Sequence, residues 1–146
     1  MKHFDKSEFG ESWAVMSRDL LEKLDEWRGL LGFPVIISPA QGALARYLSK
    51  SKTSQHNVDR WGECRAADVM SKHFETVDDM RRGYDLAVKV GFTGIGASMI
   101  WRPHAGFHLD VRKSRDPGSP AKWGYARVDG RQKVVGVGVV LGGVRA

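Results

Sequence analysis

The chain has 146 residues, of which 42% are hydrophobic, and this size suits one domain with a buried core. No apolar run reaches the roughly 18 residues of a transmembrane helix, and the polar start of the chain does not have the pattern of a signal peptide. The net charge of +6 comes from scattered Lys and Arg without interleaved aromatic residues, which argues against specific nucleic-acid binding. We therefore expect a single domain over residues 1–146, monomeric and made in the cytoplasm.

The first regular element that the sequence predicts is an amphipathic helix over Ser12–Leu31. Apolar residues recur there at steps of three and four, and Gly29 or Gly32 would end the helix. Val35-Ile36-Ile37 then has the β-branched content of a short buried strand. The polar stretch 38–59 is expected to be a loop.

The middle of the chain predicts a strand, a helix and a second strand. Ala66–Met70 reads as the strand, and Thr76 has the features of an N-cap for a helix that Gly91 stops. Gly94-Ile95-Gly96 follows as a further strand. A loop is expected at 113–122, and the alternation of Val and Gly over Lys133–Leu141 predicts a closing strand.

The segment Phe107–Val111 is expected to be a two-faced strand. Side chains alternate across a strand, so the apolar residues at 107, 109 and 111 would share one face. His108 and Asp110 would lie on the other face, together with Arg112. We therefore look for chemistry on that polar face.

Three residues have the chemical types that a catalytic zinc site needs: His56, Asp68 and His108. Zinc binds neutral imidazole and carboxylate, and hydrolytic sites use three protein ligands plus water. Composition alone does not select them, since the chain has five histidines and 17 acidic residues, and a lone histidine is more often a surface or core residue. The single cysteine, Cys64, excludes an internal disulfide and is expected to be a small buried group.

Two ordered motifs select these three residues. Ser54-Gln55-His56 followed by Ala66-Ala67-Asp68 resembles the first signature, and Gly94-Ile95-Gly96 followed by Phe107–Arg112 resembles the second signature, of one known family. That family comprises the D-alanyl-D-alanine carboxypeptidases and L-alanyl-D-glutamate endopeptidases, zinc peptidases of the hedgehog-like fold. The resemblance spans Val35 to Tyr125, and Trp123 also has a frequent counterpart in the phage and bacterial cell-wall branch.

The resemblance implies an α+β fold, a zinc site and a substrate. We expect an antiparallel sheet carrying Asp68 and His108, with the two helices packed on one face and a zinc cleft on the other. One Zn²⁺ would be held by His56, Asp68 and His108. The substrate would be the peptide part of peptidoglycan, reached by a phage lysis enzyme after release, by a prophage-encoded peptidase or by a protein carried on a phage particle.

The chain departs from the family pattern around the first motif. The spacing from His56 to Asp68 is longer than usual, so residues 57–63 are expected to form an extra loop, and Cys64 stands where the family has Gly. The arginine that holds the substrate in the family aligns with Gln41, which can donate a hydrogen bond but supplies no charge. Arg46 is the alternative.

The general base is the second point of departure. The family's carboxylate three residues before the last ligand is Ala105 here. His104 is the preferred base because imidazole shuttles protons near neutral pH, although a solvent-exposed loop role is nearly as well supported. Asp110 would orient His108 or lie near the metal water. Asp59 and Glu63 are further candidates.

Two functions of other classes stay open at this point. One is a zinc-containing cell-wall-binding or phage structural module without catalysis, which Gln41 and Ala105 would explain. The other is a basic nucleic-acid-associated protein. Neither explains both motifs.

Overall fold

A six-stranded sheet with helices packed against it forms the protein, and the computed structural model describes residues 1–142. The fold class is α+β, as the sequence predicts. No helix in this range is long and apolar enough to cross a membrane. In chain order, the elements are a 3-10 helical segment Lys6–Val15, α1 Arg18–Leu31, β1 Ile36–Ile37, α2 Val58–Trp61, β2 Ala66–Met70, α3 Val77–Val90, β3 Gly94–Ser98, β4 Gly106–Asp110, β5 Ala121–Val128, β6 Arg131–Val135 and α4 Val137–Leu141.

The sheet is mixed, which corrects the expected antiparallel sheet. The strand order is β1-β2-β4-β3-β5-β6, and β3 pairs with β5 in parallel while the other neighbours are antiparallel. The loop 111–120 carries the chain across to the far side of β3 before β5 begins. A parallel pair needs such a crossover connection, and the alternation of side chains within a strand does not encode which strand will be its neighbour.

The helix α1 is shorter than the sequence predicts. It begins at Arg18 rather than near Ser12, because the Ser17 hydroxyl accepts the backbone N–H of Leu20 and so caps the helix. Apolar spacing in the preceding residues belongs instead to the 3-10 segment. The C-terminal end is as predicted, since Gly32 has a φ of 78° and ends the helix in the left-handed conformation.

The predicted limits of α3 are confirmed. Thr76 and Asp79 form a capping box, in which each side chain accepts the other residue's backbone N–H. Gly91, with a φ of 103°, ends the helix.

The two faces of β4 have opposite surroundings. Phe107 packs edge-on against Trp27 of α1, with ring centroids 5.8 Å apart, and the Trp27 indole donates to the carbonyl oxygen of Gly83 in α3 at 3.0 Å. The core therefore lies between these helices and the Phe107 face of the sheet. His108 and Asp110 alternate onto the opposite face and hydrogen-bond to each other there.

The end of the described chain differs from the expectation. Lys133–Leu141 is not one strand, because β6 ends at Val135 and α4 begins at Val137 after Gly136. The valines suit both structures, but a helix brings residues three and four apart onto one face, and α4 buries Val137, Val140 and Leu141. Val140 packs so closely over Gly124 of β5 that a Cβ there would lie 2.5 Å from its methyl group.

Candidate metal centre

Neighbouring strands place two of the three candidate ligands side by side. Asp68 and His108 are register partners in the antiparallel pair of β2 and β4. Directly opposite residues in such a pair project from the same face of the sheet. The Asp68 carboxylate consequently lies 3.1 Å, Oδ1 to Nδ1, from the His108 imidazole.

The third candidate ligand comes from the connection between β1 and β2. The backbone carbonyl of His56 accepts the N–H of Arg46 at 2.9 Å, and the side-chain Nδ1 lies 2.7 Å from the carbonyl oxygen of Leu44. A carbonyl can only accept, so Nδ1 carries the hydrogen and Nε2 has the free lone pair. Nε2 faces Asp68 Oδ1 at 3.4 Å.

His56, Asp68 and His108 therefore form one compact group. One potential ligand atom from each residue lies within 4.8 Å of the others, and both histidines are buried. The rings of the histidines meet at nearly a right angle, with centroids 5.2 Å apart. The three side chains that the two motifs select are thus brought together.

His108 lies between two carboxylates. Its Nε2 is 2.7 Å from Asp110 Oδ2, and its Nδ1 faces Asp68. A neutral imidazole has one N–H, so one of these contacts needs either a second proton or a cation. Burial lowers the pKa of His108, but hydrogen bonds to Asp110 and Asp68 outweigh this and raise the pKa to about 9.

The surroundings of His56 Nε2 indicate whether a cation fits between the three side chains. Its Nε2 is buried and has no hydrogen-bond partner among the described residues. A lone pair that faces a carboxylate across 3.4 Å is unfavourable unless a positive charge lies between them. The donor set of two imidazole nitrogens and one carboxylate therefore suits a borderline metal ion.

Asp110 is placed to orient His108. Its carboxylate is fully buried and also accepts from the Arg112 guanidinium, at 2.9 Å to Nε and at 2.6 Å to Nη2. Burial raises the pKa of Asp110, but the hydrogen bonds from Arg112 and His108 prevail and lower it to about 2. An ionised Asp110 keeps a hydrogen on His108 Nε2 and leaves Nδ1 for a metal.

Asp68 is held ionised in a similar way. Burial would raise its pKa, but the neighbouring imidazoles of His108 and His56 hold the pKa well below its usual range. Arg46 adds an ion pair of 3.5 Å, Nη2 to Oδ2. The carboxylate is therefore available as an anionic ligand.

Two glycines of β3 make room for the site. Gly94 pairs with Asp110, and a Cβ at Gly94 would overlap its carboxylate. Gly96 lies between His108 and Trp123, and a Cβ there would come within 2.5 Å of the Trp123 indole nitrogen. The missing side chains let Trp123 lean across β3 to His108, with ring centroids 5.2 Å apart.

Two cavities meet at this group. The smaller, of about 240 Å³, is bordered by His56, Asp68 and His108, and the larger, of about 520 Å³, extends along the sheet from Asp68. Arg46 and Tyr125 border both. A ligand in the larger cavity can thus reach the three candidate ligands.

The remaining predicted residues are more dispersed. Gln41 is exposed on the rim of the larger cavity, while Arg46 lies beside Asp68. His104 is half-buried in the loop between β3 and β4 and is not among the described residues that line either cavity. Its neighbour Ala105 belongs to the hydrophobic core.

The extra loop predicted at 57–63 contains the short helix α2, which the Asn57 side chain caps. Asp59 is exposed there, and Glu63 pairs with Arg65 at 2.9 Å. Neither acidic residue is among the described residues that line the two cavities. The prediction for Cys64 is confirmed, because this thiol is buried and desolvation raises its pKa to about 11.

Tyr125 is the residue at the site that the sequence reading missed. It lines both cavities from β5, two residues after Trp123 and on the same face, and burial raises the pKa of its phenol. The signal was present in Trp123-Gly124-Tyr125, where two aromatic residues alternate with a glycine, but 123–132 had not been recognised as strand.

The chain was also compared with known proteins. No family model, no curated protein and no solved structure matches it.

Proposed function

We propose that the protein is a zinc-dependent peptidase that hydrolyses amide bonds in the peptide part of peptidoglycan. The observation that carries the proposal is the buried group of His56, Asp68 and His108, with ligand atoms within 4.8 Å and a lone pair on His56 that has no partner. The two motifs that select these residues support the peptidase assignment by their resemblance to the D-alanyl-D-alanine carboxypeptidase family.

The three side chains would hold one zinc ion through His56 Nε2, an Asp68 oxygen and His108 Nδ1. A zinc ion bound there would supply Lewis acidity to the scissile carbonyl and lower the pKa of a bound water to roughly 7. The chain's own contribution is to fix the ligands: Leu44 holds His56, and Asp110 holds His108.

Arg46 is the residue we propose for holding the substrate. Its guanidinium borders both cavities and lies 3.5 Å from Asp68. Its Nε donates to the Gly42 carbonyl, which fixes the side chain. The remaining N–H groups can donate to a substrate carbonyl or carboxylate, and their charge makes these bonds stronger than any from Gln41.

We retain His104 as the proposed general base. Its loop reaches the larger cavity through Ile100, Trp101 and Arg102. Movement of this loop toward bound substrate would carry the imidazole to the water, as catalytic contacts often tighten only in the complex. Tyr125, whose phenol borders both cavities, would donate a hydrogen bond to the carbonyl oxygen as negative charge develops there.

A binding module without catalysis is the second candidate function. One observation favours it, namely that Ala105, at the family's usual base position, is packed into the hydrophobic core. Such a module would hold zinc and recognise muropeptides without cutting them.

The experiment combines metal analysis with digestion. Purified protein should contain one zinc per chain, and zinc-loaded protein should release new amino groups from purified peptidoglycan, whereas His108→Ala should do neither. Zinc binding without released amino groups would leave the binding module as the function. Absence of zinc binding would contradict both candidates.

A further inference from the structure

We propose that the larger cavity selects substrates by their free carboxylate groups, with Arg102 and Arg127 as the residues that recognise them. The inference rests on the proposed peptidase function and adds the charge that the substrate must carry. It concerns the wall of the cavity away from the candidate metal ligands.

The charged residues that line the larger cavity are mostly positive. Three arginines, Arg46, Arg102 and Arg127, line it, together with the amide side chains of Gln41 and Gln132. Asp68 is the only acidic residue in this lining within the described part of the chain. Asp68 is paired with Arg46 at 3.5 Å, so Arg102 and Arg127 are left as uncompensated positive charges of the lining.

The three arginines come from three separate parts of the fold. Arg46 lies between β1 and β2, Arg102 lies in the loop between β3 and β4, and Arg127 lies near the end of β5. All three nevertheless line the same cavity. A single ligand bound in it can therefore contact more than one guanidinium.

Arg46 pairs with Asp68, and the other two arginines of the lining, Arg102 and Arg127, are called the outer arginines. Aromatic stacking connects them to the candidate metal group. Trp101 stacks on Tyr125 with ring centroids 5.3 Å apart, which ties the loop of Arg102 to strand β5. Tyr125 and Arg127 are two residues apart on that strand and so project from the same face. Recognition of a ligand by these arginines is thereby coupled to the position of Tyr125 beside the metal group.

Both outer arginines are available for a ligand. Arg112 pairs with Asp110 and Arg65 pairs with Glu63, but Arg102 and Arg127 have no ion pair with any residue from 1 to 142. Both are exposed at the cavity rim. A guanidinium matches the two oxygens of a carboxylate with two parallel hydrogen bonds.

The shape of the cavity favours a short peptide over nucleic acid. A volume of about 520 Å³ is within the range of sites for small ligands. Met70 and Ile100 add apolar surface to its wall. A nucleic-acid strand would instead need an extended basic track. Stem peptides of peptidoglycan carry free carboxylates that some walls convert to amides, so the two arginines would distinguish amidated from unamidated wall.

The test is calorimetric binding of two synthetic stem peptides to the wild-type protein with a chelator present, so that no cleavage occurs. The probe is L-Ala-γ-D-Glu-L-Lys-D-Ala-D-Ala with free carboxylates, and its matched partner has these groups as amides. We expect the free form to bind roughly tenfold to a hundredfold more tightly, the range for charged hydrogen bonds. Arg102→Gln and Arg127→Gln should each remove most of this preference without changing binding of the amidated peptide.

Arg115→Gln is the matched control, since Arg115 is exposed and lines a different cavity beside α3. It should bind both peptides as the wild type does. Equal binding of the two peptides by the wild type, or an unchanged preference in both cavity variants, would overturn the proposal. Displacement of the free peptide by a 12-nucleotide single strand, at equal concentration and only while Arg102 and Arg127 are present, would overturn it in favour of nucleic acid.

Failure of the proposed peptidase function and failure of the carboxylate inference give different experimental results. If the peptidase assignment is wrong and the cavity is a carboxylate site, the peptides bind with the expected preference while zinc-loaded protein releases no amino groups. If only the carboxylate inference is wrong, peptidoglycan is cut and the arginine variants cut amidated and unamidated wall at the same ratio as the wild type.

Discussion

The candidate metal group and the arginine-lined cavity share one face of the sheet but are built differently. The histidines of the metal group are buried, and its side chains are fixed by Leu44, Asp110 and the register of two strands. The outer arginines of the cavity are exposed and come from a loop and a strand end. Geometry that must be exact is set by buried contacts, whereas recognition of a charged ligand tolerates longer, more mobile side chains.

The largest effect is expected from the metal group itself. His108→Ala should lose zinc and peptidase activity together, because it removes one of three ligands. Metal that binds only the folded state raises its stability, so adding chelator should lower the melting temperature of the wild type. The variant's melting temperature should not respond to zinc or chelator. A zinc-dependent melting temperature in His108→Ala would contradict the ligand assignment.

The next effect separates catalysis from metal binding. His104→Ala should retain one zinc per chain and lose roughly a hundredfold to ten-thousandfold in turnover, the range for removal of a general base. The comparison variant is Tyr125→Phe, which keeps the ring beside Trp101 and removes only the hydroxyl. Full activity of His104→Ala at neutral pH would exclude it as the base, and a larger loss in Tyr125→Phe would make the phenol the more important group.

A smaller loss is expected when the support of His108 is weakened. Asp110→Asn removes the anion that keeps a hydrogen on His108 Nε2, so zinc affinity should fall by about tenfold to a hundredfold. Asp85→Asn, beside the separate cavity at α3, is the control and should bind zinc normally. Unchanged affinity in Asp110→Asn together with abolished turnover would instead identify Asp110 as the base. Competition with a chromogenic chelator measures the affinity.

Zinc binding and peptide binding are expected to differ in their dependence on pH. In the metal-free protein the pKa of His108 is raised from 6.5 to about 9, so a proton must leave this imidazole when the metal binds. Below this pKa, each pH unit should raise the apparent zinc affinity about tenfold. Peptide binding by the outer arginines should stay constant over the same range, because guanidinium remains charged.

The same raised pKa affects the stability of the metal-free protein. The protonated form of His108 is favoured by folding, so this stabilisation is complete below the ordinary pKa of 6.5 and is lost as the pH rises through about 9. Chemical denaturation at pH 6 and pH 9.5 in chelator should show the loss. A free energy of unfolding that does not fall over this interval would contradict the contacts between His108 and its two carboxylates.

The sequence predicted the fold where local chemistry determines it. Thr76 and Gly91 limit α3 because capping depends on neighbouring residues, and the alternation in Phe107–Asp110 correctly assigned the two faces of β4. The parallel pairing of β3 and β5 could not be predicted in this way, since it depends on how the loop 111–120 crosses the sheet. The switch from β6 to α4 was missed because a run of Val and Gly fits either structure.

In the candidate site, too, some residues could be predicted from local sequence and others depend on long-range pairing. His56, Asp68 and His108 could be selected because two motifs name them, and the structure brings them together. Tyr125 and the outer arginines reach the site only through strand pairing and loop placement. Gln41 was chosen by alignment to the family pattern, and His104 was chosen because the aligned base position is Ala105; neither choice rests on a contact that local sequence could reveal.

Gly94 and Gly96 have a consequence for how this protein can vary. Neither can act as acid, base or ligand, yet the space above them is filled by Asp110 and Trp123. In a library of random substitutions, these two positions should accept no other residue without displacing a neighbour of His108. A mutational map would therefore show that two glycines without functional side chains cannot be substituted. Such positions would mark the site by the space that its side chains occupy.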